Sequence, residues 1–296
     1  MQEIVMKRGD RGDTSALYVW NGFSVFWGSS FSTSPHQHDT LQLTFDIDKS
    51  FLVKDEKSDW TSYSAAIIKA SHPHQLNSNG SLQLFFYLDK DSDYTKKLTE
   101  KYLTGTNISE INTSKTRALR NDFFKSLITT QNCDQLFKKC HAILEELAEV
   151  DFPKKRDDRI ERAIAFITKA SDKNLRIKMV ADHVCLSESR LRHIFKEQVG
   201  QPIQNFILWM KVVDSLSMVL KGKKLSDAAH SNGFWDVSHM NKSYKSLLGV
   251  NPGDIIKYED SIKIVSCTSN SFFSIRTGLM HKCGDKKPLK WIEVKK

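Results

Sequence analysis

Ala181-Asp-His-Val-Cys-Leu186 and Ala229-His-Ser-Asn-Gly-Phe234 decide how this chain folds, because the second stretch repeats the first. The alignment continues outward: Leu191 falls on Met240, Phe195-Lys196 on Tyr244-Lys245, and Gly200 on Gly249. The offset is about 48 residues at the start and about 49 from the middle on, a spacing typical of duplicated supersecondary units. One small insertion separates the copies.

Each copy predicts helix, tight turn, helix. In the first, Ile177, Val180, Ala181 and Val184 recur at helical spacing and Cys185-Leu186 interrupts them. Ser187 can then cap a second helix with Leu191, Ile194, Phe195 and Val199 on its apolar face. In the second, Leu225, Ala228 and Ala229 make the first helix, and Asn232-Gly233 suits a turn with positive φ. Asp236 or Ser238 can cap a helix burying Met240, Tyr244, Leu247 and Leu248. Two short helices joined this way form the helix-turn-helix, whose second helix lies in the major groove.

Pro202 to Lys221 joins the copies, with Phe206, Ile207, Met210, Val213 and Leu220 roughly on one face. About 20 helical residues span about 30 Å, close to the one-turn separation of about 34 Å between major-groove faces. The residues turned away from the buried stripes are the candidate DNA contacts. They are Ser189, Arg190, Arg192, His193 and Lys196 in the first copy, and Val237, Ser238, His239, Asn241, Lys242 and Lys245 in the second. Arg pairs with guanine, Asn with adenine, and Ser or His are less selective. Lys196 and Lys245 occupy the same place in both copies, which suits phosphate contacts. The plainer reading makes each of these residues part of a solvated helix face; their repetition in register favours DNA.

These residues resemble the AraC/XylS family of bacterial transcription regulators. The likeness rests on Leu186-Ser187-x-Ser189-x-Leu191-x-x-x-Phe195-Lys196 with Gly200. It rests more firmly on Gly233-Phe234-x-Asp236-x-Ser238-His239-x-x-Lys242-x-Tyr244-Lys245-x-x-x-Gly249-x-x-Pro252. The resemblance covers about a third of the chain. It implies a two-headed module that activates or represses promoters, with duplex promoter DNA and RNA polymerase as partners. Four positions depart from the family: Cys185 replaces Gly, Met240 replaces Phe, and Lys211 and Ser215 replace Arg and Ala. Cys185 in a left-handed turn costs about 1 kcal/mol, and Lys cannot imitate the planar fork of Arg.

The chain has 296 residues, enough for two cores. Its net charge of +9 is uneven: from Asp151 on there are 27 Lys+Arg against 16 Asp+Glu, and before it 17 against 19. The basic excess lies in the half with the repeat, as expected where one half faces phosphates. The five cysteines are scattered, odd in number and without CxxC spacing, so zinc or redox motifs are not expected and a reducing cytoplasm is the simplest home. No stretch approaches 18 apolar residues and no leader pattern opens the chain, so neither export nor membrane spanning is expected.

Before the repeat, Leu17–Trp20, Phe23–Trp27, Leu41–Phe45, Phe51–Val53, Ala65–Ile68 and Leu82–Leu88 are short and aromatic-rich, separated by turn residues. They predict an antiparallel barrel or jelly roll, with Leu41-x-Leu43-x-Phe45 as a strand with one wet face. On the His36-Gln-His38 entry, the Leu41-Gln42-Leu43 strand and the Ser71-His-Pro-His74 turn, the segment looks like the cupin-type sensory barrel common in AraC-family regulators. His36, His38, Gln42 and His74, with Trp27 and Tyr63, are candidates for lining an effector pocket; rim histidines in ordinary hydrogen bonds are the plainer alternative. Cupin enzymes bind metal with a His-x-His pair, a nearby Glu and a distant His. Here the Glu is missing, so no metal, cofactor or catalytic residue is assigned. A metal-dependent cupin enzyme holding metal on His36, His38 and His74, fused to a DNA-binding module, is the alternative function. An effector-independent DNA binder is another.

Asp89 to Asn112 reads as a polar connection. Leu119, Phe123, Phe124 and Leu127, then Leu136, Cys140, Ile143, Leu144 and Leu147, predict a helical pair that packs on the barrel or meets its twin in a homodimer. Pro153-Lys-Lys-Arg-Asp-Asp is the expected hinge, and Ile160, Ala163, Ile164 and Ile167 open a supporting helix. The predicted class is α+β: residues 1–112 a cupin-like barrel, 113–152 the helical pair, 153–260 an all-α double helix-turn-helix domain, and 261–296 a loose basic extension. Within that extension Ile262–Ser266 and Leu289–Val294 are strand-like.

Overall fold

Short runs of β-branched and aromatic residues, broken by turns, make the N-terminal half a strand-rich body in the computed structural model. It describes residues 15–29, 32–47, 49–129, 132–149, 157–170, 175–249, 251–257 and 262–267. Of the expected hinge at 153–158, residues 153–156 lie outside the described residues, as does Leu289–Val294.

The strands are β1 (Ser15–Trp20), β2 (Phe23–Ser29), β3 (Thr40–Asp46), β4 (Phe51–Lys54), β5 (Thr61–Tyr63), β6 (Ala65–Ile68), β7 (Gln75–Asn77) and β8 (Leu82–Asp89). Then come α1 (Asp93–Tyr102), β9 (Ile108–Glu110), α2 (Arg117–Thr129) and α3 (Cys133–Ala148). The remainder is α4 (Asp158–Lys169), α5 (Ile177–His183), α6 (Glu188–Val199), α7 (Ile203–Leu220), α8 (Leu225–Ser231), α9 (Val237–Leu248), α10 (Pro252–Lys257) and β10 (Ile262–Ser266).

The strands pair as two sheets, one in the order β10-β1-β2-β8-β3-β6-β9 and one in the order β5-β4-β7. Phe51, Val53 and Leu76 of the small sheet pack with Phe26, Ala66, Ile68 and Phe85 of the large one. The α+β class is observed. Four details differ from the sequence expectations, each because of a contact distant in sequence.

The first is β3, expected to have one wet face. Gln42 and Thr44 are as buried as Leu41, Leu43 and Phe45, because the second face carries a covered polar network. The second is Asp89 to Asn112, which is more than a connection. Ser92 caps α1, Tyr94 and Leu98 are buried there, and β9 adds an edge strand to β6.

The third is the segment after the repeat. β10 lies parallel to β1, from Ser15 opposite Ile262 to Val19 opposite Ser266, and the Cys267 N–H donates to the Val19 carbonyl at 2.9 Å. Residues 262–267 are therefore a sheet edge, not a loose tail. The fourth is the cysteines. Cys133, at the start of α3, and Cys267 form a disulfide across 134 residues of sequence, while Cys140 and Cys185 are free. No local spacing announces such a pair.

The apolar stripes of α2 and α3 are spent inside the chain. Phe123, Leu127, Leu136, Cys140, Ile143, Leu144 and Leu147 belong to one core with the large sheet, α4, α5, α6 and the first half of α7. A second core joins the rest of α7 with α8, α9 and α10, and includes Val19 and Ile264 from the sheet. Helix α7 is apolar enough over 18 residues to pass for a membrane span by mean hydropathy, although Lys211 and Asp214 interrupt its apolar run. Eleven of its residues are buried, ten of them in these two cores, which accounts for the hydropathy. The Asp89 carboxylate fastens α7 to the sheet. It accepts from Trp209 Nε1 at 2.8 Å and Asn205 Nδ2 at 3.0 Å, and burial pushes its pKa up.

Candidate nucleic-acid interface

The two helix-turn-helix units have the same build apart from one inserted residue. In the first, the Leu186 N–H donates back to the Ala181 carbonyl at 2.9 Å; in the second, Phe234 donates to Ala229 at 3.0 Å. The left-handed turn residue is Cys185 (φ 56) in one and Gly233 (φ 69) in the other. Ser187 caps α6 by accepting from the Arg190 N–H, and Asp236 caps α9 by accepting from the His239 N–H at 2.7 Å. Leu191 and Phe195 are fully buried, as are Met240 and Tyr244. Both helices end on a left-handed glycine, Gly200 and Gly249, whose N–H reaches the carbonyl of Lys196 or Lys245.

With Leu186 on Phe234 and Ser187 on Asp236, the inserted residue is Trp235. It is 85% exposed and sits beside the N-terminus of the second recognition helix, where a groove-facing side chain would be. The sequence reading left it out, although the one-residue change in repeat offset marks its position.

The departures from the family pattern are accommodated at the linker. Lys211 Nζ donates to the Gly233 carbonyl at 2.7 Å, tying α7 to the second turn. The Ser215 hydroxyl lies 2.9 Å from the Tyr244 hydroxyl, which itself donates to the Val212 carbonyl at 3.1 Å. A buried Tyr needs such partners, and Ser in place of Ala supplies one. Helix α7 has 18 residues, about 27 Å at 1.5 Å per residue.

The candidate DNA contacts lie mostly on open faces. Ser189, Arg190, His193 and Lys196 are exposed on α6, and Ser238, His239, Lys242 and Lys245 on α9. Arg192, Val237 and Asn241 are half-buried. Arg192 pairs with Glu188 at 3.6 Å, and His193 faces Glu197 at 3.9 Å; these exposed pairs are weak enough for phosphates or bases to displace. His239 Nδ1 accepts from the Trp235 N–H at 3.3 Å, which orients its ring at the turn.

The candidate effector residues also converge. His36 and His74 form an isolated β-bridge, and their ring centroids lie 4.4 Å apart, with His38 5.4 Å from His74. Gln42 reaches both His38 and His74, its amide oxygen lying 2.9 Å and 3.3 Å from their Nε2 atoms. Burial lowers all three imidazole pKa values: His38 falls to about 4, and His36 and His74 are also lowered. All three are neutral near pH 7. Trp27 and Tyr63 are placed elsewhere, Trp27 edge-on to Phe124 and Tyr63 against Phe51.

This cluster adjoins the second unit. The Asp39 N–H donates to the Ser246 carbonyl at 3.1 Å, and the Ser246 hydroxyl donates to the Asp39 carboxylate at 2.7 Å. That carboxylate is held below its ordinary pKa, chiefly by Ser246. A side chain at Gly249 would lie 3.8 Å from His38.

Comparison with known proteins places the same emphasis on the C-terminal part. A family profile described as a helix-turn-helix domain matches residues 180–258. The chain is similar to the arabinose operon regulatory protein of Escherichia coli, 28% identical over 100 residues, covering 33% of this chain and 34% of that protein. It is similar to the Salmonella typhimurium protein of the same name, 24% identical over 133 residues, covering 44% and 46%. The matched segment thus spans less than half the length of either relative. A solved structure of unsaturated-fatty-acid-bound ToxT from Vibrio cholerae aligns over 86% of this chain and 97% of its own, at 15% identity and a TM-score of 0.39.

Proposed function

We propose that this chain, whose C-terminal part is an AraC-type helix-turn-helix domain, is a sequence-specific DNA-binding transcription regulator under effector control. The observation that carries the reading is the equivalence of two capped recognition helices on one apolar rod, each with an open polar and cationic face. Their spacing suits two successive major-groove faces of one duplex. Arg190, Arg192 and Asn241 have the chemistry for base edges, and Lys196, Lys242 and Lys245 for phosphates. The remaining candidates, Ser189, His193, Val237, Ser238 and His239, complete the two faces.

The N-terminal sheets supply the sensing body, residues 153–260 the reading body, and His36, His38, Gln42 and His74 the effector site. Promoter DNA and RNA polymerase are the macromolecular partners and the cytoplasm the compartment, where the Cys133–Cys267 pair would be subject to reduction. A homodimer would use surfaces other than the α2–α3 stripes, which are buried within the chain.

The enzyme alternative has one observation behind it, the convergence of three histidines. Among the described residues that group contains no carboxylate or thiol. The proteins similar in sequence are regulators by name.

The test is a footprint on the protein's own promoter region. Protection of about 20 base pairs, weakened steeply by salt, is the expected result, and affinity no greater than for random DNA would reject the reading. Arg192→Ala is expected to cost about 1–3 kcal/mol, concentrated at one position of the site.

A further inference from the structure

The three histidines at the seam share a feature beyond proximity. His36 Nδ1 lies 3.0 Å from the Ser34 carbonyl, His38 Nδ1 3.0 Å from the Thr40 carbonyl, and His74 Nδ1 2.8 Å from the His72 carbonyl. A carbonyl only accepts, so each ring can donate through Nδ1–H, although at His38 the Thr40 hydroxyl, 2.9 Å from the same nitrogen, competes for it; with Nδ1 protonated, Nε2 of a neutral imidazole is a bare lone pair. Histidines that ligate metals are held this way, the far nitrogen donating to backbone or carboxylate. One ligand atom from each of the three rings lies within 4.8 Å of the other two.

Gln42 sharpens the point. With all three rings protonated at Nδ1 and its oxygen toward His38 and His74, Gln42 would make three acceptors facing one another. Rotating the amide half a turn would offer N–H groups to both rings, and the Thr44 hydroxyl, 2.9 Å from the amide nitrogen, would donate to the oxygen. The Nε2 atoms of His38 and His74 both face the Gln42 amide, so Gln42 is the group that an electrophile there would displace. Metal–nitrogen bonds of about 2.0–2.1 Å place tetrahedral ligands about 3.4 Å apart. Ligand atoms already within 4.8 Å of one another are thus at most about 1.4 Å wider apart than that spacing.

We propose that His36, His38 and His74 bind one divalent transition-metal ion of the zinc class through Nε2, and that the second reading head senses its occupancy. Imidazole donors without carboxylates favour zinc, copper or nickel over magnesium or calcium. The route to the head is short: His38 packs beside Gly249 at the end of α9, and the next residue, Asp39, is the one hydrogen-bonded to Ser246. Drawing His38 toward the other rings changes the footing of α9 on the sheet. This deepens the effector reading given above, and only its DNA readout rests on that reading.

The test uses the full-length chain stripped with chelator and titrated with Co²⁺, read by visible ligand-field absorption and reversed with Zn²⁺. One saturable site per chain is expected, weakened at least about 100-fold in His36→Gln/His74→Gln. It should be unchanged in His72→Gln, whose ring faces Asp55 at 2.9 Å. In case the double variant does not fold, ¹⁵N histidine spectra of the unaltered chain provide a second readout. Zn²⁺ should shift Nε2 of three rings while Nδ1–H persists in each. Absence of saturable binding, binding undiminished in a folded double variant, or shifts confined to other histidines would overturn the site. In the same preparation DNA affinity is expected to change about fivefold or more on metal addition, and an identical Kd would overturn the coupling. A chain that protects its promoter but takes up no metal refutes this proposal alone. One that takes up metal but ignores DNA refutes the regulator reading and, with it, the coupling.

Discussion

The two reading heads share a backbone and differ in what they lean on. The first is continuous with the N-terminal half: Leu191, Phe195 and Val199 lie in the same core as Trp20, Phe137 and the inner face of the large sheet. The second has its own core with the far half of α7 and meets the sheet through Val19, Ile264 and the polar clasp of Asp39 on Ser246. An apolar seam holds regardless of pH, whereas a seam beside buried histidines does not. The comparison teaches that duplicated units in one chain can be fixed to differing degrees, the second partly through polar contacts.

The largest expected effect comes from the covalent tie that serves both heads. The Cys133–Cys267 bridge joins α3, in the first core, to the end of β10, whose Ile264 lies in the second. Closing a loop of 134 residues restricts the unfolded chain by about 5 kcal/mol in the chain-entropy treatment. Cys133→Ser should lose most of that in chemical unfolding, and reductant should do the same to the parent chain. A midpoint indifferent to reductant would show that the bridge does not form in solution.

Phe195→Ala should be nearly as costly, about 3–5 kcal/mol, and should loosen the N-terminal half together with the first head. Tyr244→Phe removes a hydroxyl bonded to Val212 and Ser215, for about 1–2 kcal/mol confined to the second. Hydrogen exchange distinguishes the two patterns; equal spread from both substitutions would break the contrast.

Acid should act on the second seam. The folded-state pKa of His38, about 4, lies below its ordinary value of 6.5, so the unfolded chain binds the proton more tightly. The resulting stability is complete above pH 6.5, is lost as pH falls through 6.5, and is gone near pH 4. The loss is about 3 kcal/mol, and His36 and His74 add to it in the same direction. Unfolding midpoints measured from pH 7.5 to 4.5 should fall in the parent and less in His38→Gln. A parallel fall in both would assign the acid sensitivity elsewhere.

The smallest effect compares the turns directly. Cys185 at φ 56 carries strain that Gly233 at φ 69 does not. Cys185→Gly should stabilise the first head by about 1 kcal/mol, and Gly233→Ala should destabilise the second by a similar amount. Effects of the same sign would contradict the equivalence of the two turns.

The parts of this structure that were legible in the sequence are those encoded locally. The spacing of Leu191, Ile194, Phe195 and Val199, the caps at Ser187 and Asp236, and the glycines at 200 and 249 each act within one or two helical turns, and all behave as read. Six N-terminal strands were visible for the same reason, as was the strand character of Ile262–Ser266. That β10 pairs with β1, that Cys133 meets Cys267, and that the α2–α3 stripes are spent internally depend on contacts between distant segments, which a local pattern does not specify. The candidate site divides the same way. His36, His38, Gln42 and His74 were named from their spacing, whereas the contact of Asp39 with Ser246, 207 residues away, was visible only in the fold.

Hydroxyl-radical footprinting of the full-length chain on its own promoter region tests the central claim most directly. Two protected patches about one helical turn apart on the same face of the duplex are expected, with Arg192→Ala fading one patch and Asn241→Ala the other. A single patch, or two patches on opposite faces, would contradict two equivalent heads set by one rod.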